Sequence, residues 1–99
     1  MVLNVNAASV GASAATEAGI GTEMAAAVAV ASAALTGVMP MGADLDSVQF
    51  AAALNAIGAV YIGTAVEHLT NRGLVAEAQN LAAATYTATE AVNDTALSL

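Results

Sequence analysis

The stretch from Asp44 to Asn93 carries more apolar surface than one neighbouring helix can cover. In a helix with 3.6 residues per turn, four of its large side chains form one apolar stripe: Phe50, Leu54, Ile57 and Tyr61. Three others form a second stripe, rotated from the first by roughly a third of a turn or more: Ile62, Val66 and Leu69. A helix that is apolar around more than half its circumference is buried on more than one side. The sequence therefore predicts a helix that needs a second protein, or a membrane, besides its own neighbour in the chain.

Composition limits the chain to one small domain with a thin core. It has 99 residues, which is enough for one domain and not for two. Hydrophobic residues make up 59% of it, but alanine supplies much of that fraction, and aromatic residues are only 3%. Cysteine is absent, so the chain forms no disulfide.

The charge is strongly one-sided. Eight Asp and Glu residues face a single basic residue, Arg72, which gives a formal net charge of −7. Such a surface repels nucleic acid and anionic lipid headgroups, so neither is an expected partner. The first residues, from Met1 to Asn4, have no basic segment, and we expect no ordinary N-terminal signal peptide.

Two helices and one turn are predicted. Small and apolar residues in helical register indicate a first helix over about 7–36. Gly37 suits a left-handed residue after a helix, Pro40 cannot continue one, and Asp44 can cap the next. We therefore predict an all-α antiparallel hairpin, with a turn over about 37–43 and a long helix over about 44–93.

The predicted helix lengths differ. The first helix would span roughly 45 Å and the second roughly 70 Å. Folded back antiparallel, the first would end near Leu74, and the chain from about Val75 onward would project past it. Two segments could interrupt the helices, Gly19-Ile20-Gly21 in the first and Asn71-Arg72-Gly73 in the second, and continuation is favoured at both.

No pattern in the sequence indicates catalysis. His68 is the single histidine and has no second ligand at metal spacing, so a structural or partner-contact role is favoured. The Ser, Thr and acidic residues form no nucleophile–base pattern, and the glycines have no phosphate-binding spacing. We expect no enzyme activity, no cofactor and no metal site.

A membrane hairpin is an alternative. The segments Met24 to Ala43 and Ser47 to Val66 are uncharged and about long enough to span a bilayer. However, no Lys or Arg flanks them, and aromatic belts are missing. The sequence therefore favours a protein without a stable membrane span.

Several motifs along the chain resemble the mycobacterial PE family in its short, single-domain form. They are Gly19-Ile20-Gly21, Thr36-Gly37-Val38-Met39-Pro40 followed by Ala43-Asp44 and Ser47, the mid-helix Tyr61, and Tyr86-Thr87-Ala88-Thr89-Glu90-Ala91 with Asn93. The Tyr86 and Glu90 pair, adjacent on one helix face, is similar to the YxxxD/E export signal of that family. The Pro-Glu pair that names the family would fall at Ala7-Ala8 and is absent, which leaves the first turn of the first helix in question.

The resemblance implies both a partner and an export route. Proteins of this kind pair with a PPE-family protein in a four-helix bundle, and the heterodimer leaves the cell folded through a type VII secretion system. A secretion chaperone generally contacts the PPE subunit. The implied role is a non-enzymatic secreted or surface protein whose partner interface is formed by the two apolar stripes. A self-associating WXG100-like hairpin is a further alternative, although the turn lacks a Trp-x-Gly motif.

Overall fold

The computed structural model describes residues 4–98 and contains two α-helices. Helix α1 covers Ala7–Thr36 and helix α2 covers Leu45–Leu97, and residues 37–44 form the loop between them. Residues 4–98 contain no strand. The predicted all-α class is confirmed, and two helices joined by one loop are consistent with the predicted hairpin. Both helices continue through their glycine-containing segments, α1 through Gly19 and Gly21 and α2 through Gly73.

Helix α1 begins at Ala7 with no proline in its first turn. The Asn6 side-chain oxygen accepts a hydrogen bond from the Ser9 backbone N–H at 3.0 Å. The Asn6 carbonyl oxygen accepts another from the Val10 N–H at 3.1 Å. Asn6 is therefore an N-cap, which satisfies a free amide of the first turn. The cap supplies the initiation that a proline would otherwise favour, and Ala7 and Ala8 complete the turn with high helix propensity.

The loop ends at a second side-chain cap. One carboxylate oxygen of Asp44 accepts a hydrogen bond from the Ser47 N–H, and the other accepts one from the Ser47 hydroxyl, both at 2.8 Å. These bonds stabilise the ionised form and hold the pKa of Asp44 below its usual value. Helix α2 therefore begins on a fixed, charged cap, with Asp46 in its first turn.

The predicted left-handed conformation of Gly37 is wrong. No glycine of the described chain has a positive φ. A Cβ at Gly37 would stand 2.6 Å from the Ala33 carbonyl oxygen. Lack of space beside the last turn of α1, and not backbone handedness, accounts for the glycine.

The structure divides into two compact units. The loop unit comprises Thr22–Thr70, and the terminal unit comprises Met1–Gly21 together with Asn71–Leu99. Each helix contributes a segment to both units.

In the loop unit, the connection runs back along the start of α2. The Asn55 side chain accepts a hydrogen bond from the Val38 N–H at 2.8 Å and donates one to the Val38 carbonyl at 3.1 Å. The end of α1 lies against Gly58, where a Cβ would stand 2.7 Å from the Leu35 carbonyl carbon and overlap the carbonyl oxygen. The first turns of α2 thus pair with the loop and not with α1.

In the terminal unit, α1 reaches further along α2 than the predicted helix lengths imply. Gln79 donates a hydrogen bond to the Ser13 hydroxyl at 3.2 Å, and a Cβ on Gly11 would contact the Ala83 Cβ at 3.8 Å. One helical turn before Gly11, the start of α1 lies about level with Thr87. The prediction that α1 ends near Leu74 is therefore wrong, because it assumed a tight turn in place of a loop that folds back along α2.

The interior is made almost entirely of alanine. The buried hydrophobic side chains are Ala51 in the loop unit and Ala14 and Ala76 in the terminal unit. No large side chain of the described residues is fully buried. Small residues allow the helix axes to approach closely, but they remove little apolar area from water. The hairpin is held by close backbone approach and a few polar bonds, with little hydrophobic core.

The approach at Gly58 can be tested with a matched pair of glycines. We expect Gly58→Ala to destabilise the chain by about 2 kcal/mol, because the added Cβ pushes α1 away from α2. At Gly63, five residues further along the same helix, no atom lies within 4 Å of an added Cβ. Gly63→Ala should instead raise helicity, by about 1 kcal/mol of propensity. Circular dichroism at 222 nm, at one temperature and protein concentration, compares the helicity of each variant with that of the parent chain: Gly58→Ala should lower it and Gly63→Ala should raise it. Equal behaviour would show that the helices do not meet at Gly58.

Candidate functional site

The first apolar stripe lies open to solvent. Phe50 is 58% exposed, Ile57 66% and Tyr61 61%, while Leu54 is 36% exposed. These side chains lie on one flank of α2, beside the face that meets α1. A contiguous apolar strip of this kind on a soluble protein marks an interaction surface.

The second stripe is divided by the contact with α1. Ile62 and Leu69 are half-buried, whereas Val66 is 50% exposed. The inference that the hairpin leaves all three uncovered is therefore wrong for Ile62 and Leu69. The reason is the close approach at Gly58, which sets the face of α2 that meets α1, and that face continues through Ile62 and Leu69.

His68 lies in the wall of a shallow apolar groove. The groove runs between the helices of the loop unit, has a volume of about 350 Å³, and is lined by Met24, Ala27, Val28, Tyr61, Thr64, Ala65 and His68. His68 itself is exposed. Across the described chain, no group of three or more His, Cys, Asp or Glu side chains could hold a metal ion. A partner-contact role for His68 stays a prediction.

A second groove, the loop groove, was not predicted from the sequence. It has a volume of about 330 Å³ and lies between the loop and the start of α2, lined by Val38, Met39, Met41, Asp46, Ser47, Phe50, Ala51 and Leu54. Met39 and Met41 are 80% and 91% exposed. Two methionines flanking the single proline were the available signal, since a loop that needs only to turn would be polar.

The single arginine is engaged within the terminal unit. An Arg72 guanidinium nitrogen lies 2.7 Å from a Glu17 carboxylate oxygen, with side chains 26% and 29% exposed. The guanidinium Nε and the Gln79 side-chain oxygen are buried without a hydrogen-bond partner. Sequence analysis missed this pair because 55 residues separate its members. It joins the two helices of the unit at a defined register.

Tyr86 and Glu90 lie on the exposed part of α2 in the terminal unit. Tyr86 is 40% exposed and forms one end of a shallow apolar depression with Ala78, Leu81, Ala82 and Thr85. Glu90 is exposed. Because α1 begins about level with Thr87, Tyr86 lies beside its first turn and does not project clear of it, as the predicted lengths implied.

Both helices are long and apolar enough to cross a membrane, judged by length and composition alone. Core helices of soluble proteins and signal sequences meet the same criteria, so this property carries little weight. Of the apolar window in α1, 0% is buried, and of that in α2, 11%. Apolar surface of that extent is available to either a protein partner or a membrane.

The comparison with protein families identifies the chain. The PE family model matches residues 3–93, nearly its full length. The chain belongs to the PE family. Comparisons with curated proteins and with solved structures return no match. Membership of the PE family suggests a protein partner, a type VII secretion context and a secreted or surface location.

The exposed apolar stripe and the alanine core lead to a prediction for this PE protein when it is expressed without a partner. Leaving Phe50, Ile57 and Tyr61 in water forfeits on the order of 5 kcal/mol that burial would supply. We expect the isolated chain to show low helicity or a broad, non-cooperative thermal transition by circular dichroism. A sharp melt of a monomer, unchanged with protein concentration, would contradict this expectation.

Proposed function

We propose that this PE-family protein is a non-enzymatic type VII secretion substrate and one half of an obligate heterodimer with a PPE-family protein. The observation that carries the proposal is the apolar flank Phe50–Tyr61, exposed on a hairpin in which the buried side chains, among residues 4–98, are three alanines. Two helices of the partner would cover this flank and complete a four-helix bundle. Family membership supports the same partner.

The proposed interface residues lie at different positions around α2. Phe50, Leu54, Ile57 and Tyr61 would form its centre, because they lie on one flank. Ile62 and Leu69 are shared with α1 and would contribute their exposed edges. Val66 lies on the opposite flank and would meet the periphery of the partner.

Tyr86 and Glu90 are proposed as the YxxxE export signal. They lie four residues apart and therefore share one face of α2. The tyrosine offers a half-open amphipathic ring, and the glutamate offers a charge one turn away. In the family, this signal acts beside a motif of the PPE subunit. The heterodimer would fold in the cytosol, with a chaperone on the PPE subunit, and reach the cell surface or medium through the type VII secretion system.

A membrane hairpin is the second candidate, favoured by the apolar length of both helices. It is opposed by the Glu17–Arg72 ion pair and by Glu23 within α1, since charges inside a bilayer are costly. Co-expression with the PPE protein separates the candidates: a complex soluble without detergent supports the heterodimer. A WXG100-like homodimer would instead give a stable dimer of the chain alone.

The proposed flank can be tested with two adjacent residues. We expect Ile57→Asp to abolish co-purification with the PPE partner, because an unpaired carboxylate buried in an apolar interface costs several kcal/mol. Ala56 is exposed and lies about 100° away around the helix. Ala56→Asp should leave the complex intact. Equal loss in both variants would show that the partner binds elsewhere on α2.

The export signal can be separated from assembly. Tyr86→Ala and Glu90→Ala should each leave formation of the heterodimer nearly unchanged. In cells that carry the secretion system, each variant heterodimer should stay in the cytosol. Asp94→Ala, which removes another acidic side chain from the same helix end, should be secreted normally. Immunoblots of culture filtrate and lysate measure both. Normal secretion of the Tyr86 and Glu90 double variant would refute the export role, and loss of the heterodimer would show that Tyr86 packs on the partner.

A further inference from the structure

The loop groove presents its largest side chains to solvent. Met39 and Met41 come from the loop, and Phe50 and Leu54 come from the first turns of α2. Leu54 is 36% exposed, and the other three are between 58% and 91% exposed. Methionine adapts its shape to an apolar ligand because its side chain is unbranched and polarizable. The groove has the chemistry of a docking site for an apolar segment.

Side-chain bonds hold the groove in shape. Asn55 binds both the N–H and the carbonyl of Val38, at 2.8 and 3.1 Å. Asp44 binds the N–H and the hydroxyl of Ser47 at the other end of the loop. The loop is therefore fixed against α2 at both ends, and binding of a ligand would cost little entropy for ordering the loop.

The charge at the rim distinguishes between possible occupants. Asp46 lines the groove and makes no hydrogen bond or ion pair with the part of the chain that the structure describes. A second copy of this chain carries a net charge of −7 with histidine neutral, and its single Lys or Arg is the Arg72 engaged by Glu17. A second copy would therefore bring repulsion and no free Lys or Arg to Asp46. A different protein with a basic residue would be attracted.

We propose that the loop groove docks an apolar helical segment of the partner that places a Lys or Arg side chain against Asp46. This inference rests on the proposed heterodimer and identifies the chemistry of one part of its interface. The apolar groove supplies contact area, and the single carboxylate at its rim selects the register and orientation of the partner helix. Such a contact lies at the loop end, beyond the stripe centred on Ile57.

The experiment uses the heterodimer with a PPE-family protein that co-purifies with this chain, with Kd measured at low and high salt. Met41→Ser should weaken binding about tenfold, whereas Val60→Ser, an exposed residue that lines neither groove of the loop unit, should have no effect. Asp46→Asn should weaken binding about threefold and flatten its salt dependence. Asp46→Lys should weaken it further, and changing one Lys or Arg of the partner to Glu should restore it.

Glu67→Lys is the matched control for charge, since Glu67 is exposed and lies outside both grooves. Equal weakening by Asp46→Lys and Glu67→Lys would show only general attraction and overturn the inference. So would wild-type affinity of Met41→Ser, or the absence of any restoring charge reversal. A wild-type homodimer that Met41→Ser dissociates would assign the groove to a second copy. Failure of the wild-type chain to bind the PPE protein would overturn the proposed heterodimer itself.

Discussion

The close approach of the two helices at small residues determines most other properties of this protein. At Gly58, the backbone of α1 occupies the space of a side chain, and among the described residues the buried side chains are alanines. Helices that meet this closely leave large side chains at best half-buried, as at Ile62 and Leu69. The large apolar side chains are therefore displaced to the flanks and the loop, where water covers them. The same feature explains both the absence of a hydrophobic core and the presence of an apolar surface.

Because so little apolar area is buried, polar bonds set the register of α1 and the loop along α2. Asn55 fixes the loop on α2 in the loop unit, and Glu17 pairs with Arg72 in the terminal unit. A half-buried ion pair contributes little net stability, but it penalises any register that separates its members. If two helices met only through alanine faces, their alternative registers would differ little in free energy. The few polar contacts of this chain therefore specify one alignment out of several that its alanines would tolerate.

The sequence predicted the helical class, and motif resemblance predicted the family, because glycine, proline and cap residues act locally. It failed where the outcome depends on how the chain folds back. The loop was assumed to be a tight turn, and that placed the end of α1 near Leu74, although Gly11 lies against Ala83. It also assigned Ile62 and Leu69 wholly to a partner, because side-chain size was weighed and the close approach allowed by Gly58 was not. The loop groove was not predicted, because it exists only where the loop folds back along the start of α2.

For a protein built in this way, binding of the proposed partner would contribute more to the free energy of unfolding than the contacts within the chain do. Ligand that binds only the folded state stabilises it by mass action, and the effect grows with partner concentration and affinity. A hairpin with three buried alanines has a small free energy of unfolding to begin with. In the proposed heterodimer, its folded population would therefore track the supply of the partner that covers the flank at Phe50, Ile57 and Tyr61. An unpartnered chain exposes its backbone to proteases, so excess chain would be removed while the assembled complex persists. In the proposed heterodimer, the exposed apolar surface would thus couple survival of the protein to assembly, before the proposed export signal at Tyr86 and Glu90 is recognised.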